Sequence, residues 1–109
     1  METMAIVLSV KRGSVEGFEA GFRKHEVPIW EDFVGRGVLV RASLSRMDIS
    51  SQPVEGAVQY LIMAVFETGE GHHLHDSDAR FQAWNEMADE YQLEGGMAFG
   101  GETLIRAGT

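Results

Sequence analysis

Apolar residues occupy both faces of the run Val58–Glu67. Tyr60, Ile62, Ala64 and Phe66 point one way; Leu61, Met63 and Val65 point the other. A strand with one wet face alternates apolar with polar residues, so this one needs a cover on both sides. Ala5–Lys11 has a similar character, with Ile6, Leu8 and Val10 alternating with Ala5, Val7 and Ser9. Val38–Arg46 predicts a third strand. Its Val38, Val40, Ala42 and Leu44 face is apolar, and its Leu39, Arg41, Ser43 and Ser45 face is more polar. Met97–Ile105 predicts the last strand, in which Gly100-Gly101 marks a bulge or a close backbone approach.

The helical period appears twice. After the Arg12-Gly13 break, Ser14 is placed as an N-cap, and Phe18, Phe22, His25 and Ile29 recur at three- and four-residue steps. Pro28 lacks an N–H and crowds the carbonyl one turn back, which predicts a kink or break near Glu26-Val27. A second helical piece, Ile29–Val34, carries Trp30 and Phe33 and ends at Gly35-Arg36-Gly37. Asp48–Gly56 reads as a loop, and Thr68–Asp76 as a connection rich in glycine and histidine. Asp76, Ser77 and Asp78 open another helix, where acidic groups suit the positive end of the dipole. Its buried stripe is Phe81, Trp84, Ala88 and Tyr91, and Gly95-Gly96 stops it.

The order strand, helix, strand, strand, helix, strand is the split βαβ arrangement of a ferredoxin-like α+β fold. Right-handed crossovers place both helices on one face of a four-stranded antiparallel sheet. The first and third strands then lie in the middle, and these are the most apolar. One domain over residues 1–109 accounts for the whole length. The second sheet face, with Val7, Leu39, Leu61, Met63 and Val65, has no helix left to cover it. An apolar area on the order of several hundred Å² is more than a monomer leaves wet. At ~25 cal/mol per Å², covering it is large beside a net stability of ~5–15 kcal/mol. A second copy of the chain, packed sheet to sheet about a two-fold axis, supplies the cover.

Charge narrows the partners. A net charge of −8 disfavours nucleic acid and anionic membrane surfaces. The chain has no cysteine, which excludes disulfides and thiolate metal sites and fits a reducing cytoplasm. No apolar stretch approaches the ~20 residues a membrane span requires. The acidic start Met1-Glu2-Thr3-Met4 is unlike a secretory signal.

The run Phe22-Arg23-Lys24-His25-Glu26-Val27-Pro28-Ile29, followed by Gly37 and a strand, resembles the first-helix region of EthD-like and REDY-like proteins. The last strand, Phe99 followed by Gly-Gly-Glu-Thr-Leu, is similar to their closing strand. These families belong to the dimeric α+β barrel superfamily. The resemblance implies a homodimer with a pocket between each sheet and its helices or inside the shared barrel. It also implies relatives that include cofactor-independent oxygenases, polyketide cyclases, lactone isomerases and haem-degrading enzymes. One fold hosts many chemistries, so it does not choose among them.

Several residues could carry chemistry. His25 falls within the resemblance and on the first helix's apolar stripe. It is either a core histidine bonded to a carbonyl or a general acid or base at a pocket mouth. Arg41, if it lines the barrel, needs an anion: a substrate carboxylate, or an internal partner such as Glu67 or Glu102. Trp30, Trp84, Phe33 and Tyr60 could frame an aromatic ligand, although stripes at helical spacing are usually core. Tyr60 is the best placed of them, because a buried hydroxyl wants a partner. His72, His73 and His75 crowd one segment beside Asp76 and Asp78. In an extended loop His73 and His75 share a face and could hold a metal with a distant donor such as His25 or Glu67. The simpler reading is a solvated loop capping the next helix.

The leading expectation is a small-molecule enzyme without an organic cofactor, acting by proton transfer on an aromatic or polyketide-like substrate. Its mark is an apolar pocket of at least ~300 Å³ on which His25 and another polar group converge. The alternatives are a metal- or haem-binding protein using the histidine segment, and a non-catalytic ligand-binding or stress-related dimer.

Overall fold

The computed structural model describes residues 1–108. Four strands form one antiparallel sheet in the order β2-β3-β1-β4, with β1 Glu2–Lys11, β2 Leu39–Arg46, β3 Ala57–Phe66 and β4 Met97–Glu102. The two strands apolar on both faces are the central pair, as expected. They run in unbroken register from Glu2↔Phe66 to Lys11↔Ala57. The helices all pack on one face. Val10 and Tyr60 join Phe18, Phe22, Trp84 and Ala88 in one buried cluster. Ala64 and Phe66 join Ile29, Phe33 and Leu39 in a second. The fold is the ferredoxin-like α+β arrangement.

Pro28 does not break the first helix. Helix α1 (Val15–Gly21) runs through a π turn (Phe22–Glu26) into α2 (Val27–Gly35). The Val27 N–H donates to the Phe22 carbonyl, five residues back. A wider turn here makes room for the proline ring and absorbs the loss of its N–H. It also inserts one residue into the helical phase. The buried positions are therefore Phe18, Phe22, Glu26, Ile29 and Phe33, with Glu26 rather than His25 turned inward. Gly37, at φ 74°, ends the helix.

Other expectations are settled in the strands and loops. Leu39 lies on the helix side, only 3% exposed, because a bulge between Leu39 and Arg41 shifts the strand by one residue. Such a slip moves a side chain to the opposite face. Of the two readings of Gly100-Gly101 the close approach holds: β4 pairs with β1 in regular register, and a Cβ at Gly100 would lie well inside contact distance of Met4 Sδ. Ser14 makes no side-chain cap; a 3-10 turn over Arg12–Ser14 leads into α1 instead. Finally, the histidine segment is helix α3 (Glu70–Asp76), joined by a short turn to α4 (Ala79–Ala88). Asp78 is the cap of α4, its carboxylate accepting from the Arg80 N–H at 2.8 Å.

The uncovered sheet face carries Val7, Leu61, Met63 and Val65, with Phe99 of β4 59% exposed. Among the described residues no helix packs there. Among the described residues no helix is long and apolar enough to cross a membrane.

Candidate functional site

Between the helices and the sheet lies a cavity of about 170 Å³. Its floor is the helix-facing side of β1 and β3, including Met4, Ile6, Ile62 and Ala64. Aromatic rings close it: Phe18, Phe22 and Trp30 from the long helix, Phe81 and Trp84 from α4. The sequence dictates this position. The two apolar central strands supply a greasy floor, and two aromatic stripes at helical spacing supply the roof.

Against that apolar lining stand His72, Asn85, Gln92 and one compact hydrogen-bonded polar group. The π turn carries Glu26 inward, and α3 brings His75 to meet it. His75 Nε2 donates to Glu26 Oε1 at 2.5 Å, and Nδ1 donates to Asp76 Oδ1 at 3.0 Å. The Glu26 side chain is 4% exposed and that of His75 13%. Phe81 and Phe33 pack on the imidazole with centroid separations of 4.3 and 6.0 Å. Burial disfavours the charged ring, but the hydrogen bonds to Asp76 and Glu26 outweigh it and push His75 up to about 9. At neutral pH His75 is therefore an imidazolium. Glu26 Oε2, on a residue that lines the cavity, is buried and has no hydrogen-bond partner. A buried carboxylate oxygen left unsatisfied is costly in a native structure and points to a role.

This pair makes stability depend on pH with a defined sign. The unfolded ring titrates near the ordinary 6.5 and the folded one near 9. Below 6.5 both states are charged and the full contribution is present. As pH rises through 9 the folded ring loses its proton and the contribution disappears. The unfolding free energy should fall by on the order of 2–3 kcal/mol between pH 6.5 and 9.5. Urea unfolding across that range measures it. A flat profile, or the same slope in His75→Leu, would refute the charged pair.

The other residues expected at the site are dispersed. His25 is stacked on the Trp84 indole, 5.5 Å between centroids at 20°, and does not line the cavity. Trp30 and Trp84 do line it. Tyr60 is buried on the far side of Phe18, its hydroxyl donating to Glu19 Oε2 at 2.5 Å. Arg46 pairs with the same carboxylate. Burial, then the bond to Glu19, hold the Tyr60 phenol above its ordinary range. Arg41 is exposed on the sheet face away from the helices.

The metal expectation changes with the secondary structure. On α3, residues two apart point to different sides, whereas His72 and His75, three apart, share a face. Both of these line the cavity and His73 is exposed. His72 sits against the Glu2 carboxylate without a hydrogen bond to it. Among the described residues no three His, Asp or Glu side chains are grouped to hold a metal ion. Both His75 nitrogens are already paired, so neither is open to an iron.

Glu26 is hidden in the sequence. The available signal is an acid one residue off an apolar stripe, two before a helix-interior proline, because a proline there favours a widened turn that rotates the stripe.

No protein-family model matches the chain, and no curated protein does. Solved structures do match. A protein assigned as an antibiotic biosynthesis monooxygenase from Nitrosomonas europaea superposes with a TM-score of 0.76 at 15% identity, covering 96% of this chain and 100% of that one. A protein assigned to the same activity from Bordetella bronchiseptica gives 0.70 at 21% identity, covering 95% and 97%. SnoaB from Streptomyces nogalater, a cofactor-independent oxygenase solved as a mutant, gives 0.69 at 13%, covering 96% and 95%. At these identities the likeness is one of fold, the ferredoxin-like α+β arrangement of sheet and helices.

Proposed function

We propose that the chain is a homodimeric, cytoplasmic enzyme that oxygenates an aromatic small molecule without an organic cofactor. The observation that carries this reading is the Glu26–His75 pair inside an aromatic cavity, with one carboxylate oxygen unspent. That oxygen can take a proton from a substrate O–H or acidic C–H, and the adjacent imidazolium stabilises the anion that forms. For a phenol, dioxygen is the oxidant. The O–H proton passes to Glu26 and the phenolate's para carbon adds O₂. The resulting hydroperoxide is protonated and loses water as the para C–H proton leaves. Phenol plus O₂ then balances as quinone plus water. The oxygenase similarity of SnoaB supports this choice over cyclase or isomerase chemistry. The proton-transfer role expected of His25 is assigned instead to Glu26, with Trp30 and Trp84 kept as walls for the ring. The apolar face bearing Leu61, Met63 and Phe99 supports pairing of two sheets.

An oxygen electrode tests the reading, using chelator-treated protein and a panel of phenols and hydroquinones. Oxygen uptake proportional to protein is expected, from a species sedimenting at twice the 12.0 kDa chain mass. Absence of uptake across the panel, from protein that binds those compounds, would sink the oxygenase reading.

A further inference from the structure

We infer that the cavity is built for one neutral aromatic ring carrying a hydrogen-bond donor, which it donates to Glu26 Oε2, and that fused-ring ligands are excluded. This deepens the proposed function by naming its substrate class, and rests on that reading for the site alone.

Size is the first constraint. An apolar cavity of roughly 150 Å³ is enough for benzene, and drug-sized pockets start at roughly 300 Å³. At about 170 Å³ this one takes a single ring and little more. The walls leave few ways to grow. Trp84 is pressed against α1 where Gly21 has no side chain: a Cβ there would sit 2.6 Å from the indole. Phe66 is held as closely by Gly71 of α3, at 2.5 Å for the same hypothetical atom.

Polarity is the second constraint. Among the described residues two buried polar atoms without a hydrogen-bond partner belong to side chains that line the cavity, Glu26 Oε2 and His72 Nδ1, and of these the carboxylate oxygen can only accept. It calls for a donor. Two carboxylates, Glu26 and Asp76, exclude an anionic ligand from this end. An organic cation is disfavoured as well. The His75 imidazolium already neutralises Glu26, and the Asp76 side chain is 60% exposed, so a second cation would be desolvated among Phe18, Phe22 and Trp84 away from the one remaining carboxylate.

Calorimetric titration of the full chain at pH 7 tests this with phenol, toluene, benzylammonium, benzoate and 2-naphthol. Phenol should bind about tenfold tighter than toluene, which has the same size and no donor. Naphthol, benzoate and benzylammonium should each bind at least about tenfold more weakly than phenol. In Glu26→Leu the advantage of phenol over toluene should vanish; if that variant does not fold, the wild-type series decides alone. Equal binding of phenol and toluene, or tightest binding by naphthol or benzylammonium, overturns the inference. The outcomes separate from those of the oxygenase reading. Selective phenol binding without oxygen uptake upholds the ligand class and removes the reaction. Uptake with fused-ring compounds that bind best does the reverse.

Discussion

Glu26→Gln should lower kcat for oxygen-dependent turnover by roughly 10²–10⁴-fold, the range for losing a positioned general base. Glutamine keeps the length and shape of the side chain. Its carbonyl can still accept from His75 Nε2, so the 2.5 Å contact has a neutral replacement. What disappears is the capacity of the second oxygen to hold a proton. Steady-state kinetics should show the loss in kcat, with KM raised by no more than about tenfold, because the amide nitrogen that replaces Oε2 cannot accept from the phenol O–H. A structural role alone predicts a different pattern. Removing one charge from a buried pair costs stability, and the variant would then unfold at lower urea while its folded fraction kept the wild-type rate. Measuring both quantities on the same preparation distinguishes the two. An unchanged kcat per folded molecule would remove Glu26 from the chemistry.

The same residue shows where the sequence is legible and where it is not. The sheet is readable because β1 and β3 are apolar on both faces, a pattern that only a central strand with two covers tolerates. Topology follows from element order and crossover handedness. The departures come from single-residue phase shifts, which leave composition untouched. The stripe Phe18, Phe22, His25, Ile29 fits an ideal helix, but the π turn at Phe22–Glu26 moves the inward position to Glu26. The bulge after Leu39 does the same to a strand. In each case one inserted residue exchanges an inner for an outer side chain. Helix α3 escapes local reading for another reason. Gly69, Gly71 and three histidines have poor intrinsic helix propensity, and the segment is helical because Gly71 fits flush on Phe66 and His75 reaches Glu26. Tertiary contacts of that kind cannot be read from local spacing, yet they assemble the site. The i, i+3 spacing of His72 and His75 is visible, but it has meaning only on a helix.

Trp84→Ala should cost about 3–5 kcal/mol of stability, a large part of the ~5–15 kcal/mol that a small domain has. The indole is 4% exposed and packs among the aromatic rings of the long helix. Its ring centroid lies 6.2 Å from Phe22, 6.3 Å from Phe18, 6.4 Å from Tyr91 and 5.5 Å from His25. It also fills the notch at Gly21, where no other side chain is positioned to follow if the ring is removed. For a domain of this size the loss corresponds to a fall in Tm of roughly 12–30 °C, readable by scanning calorimetry. A fall of less than about 5 °C would mean that the helix pair does not depend on this ring, and the indole would lose its place as the centre of the roof. Trp84 is also a wall of the ligand cavity. Deleting it removes the barrier to a second ring, so the destabilised variant should regain binding of 2-naphthol relative to phenol. Stability and ring-size selectivity are then two readouts of one contact: the residue that holds α4 to the long helix is the one that sets how large a molecule Glu26 can meet.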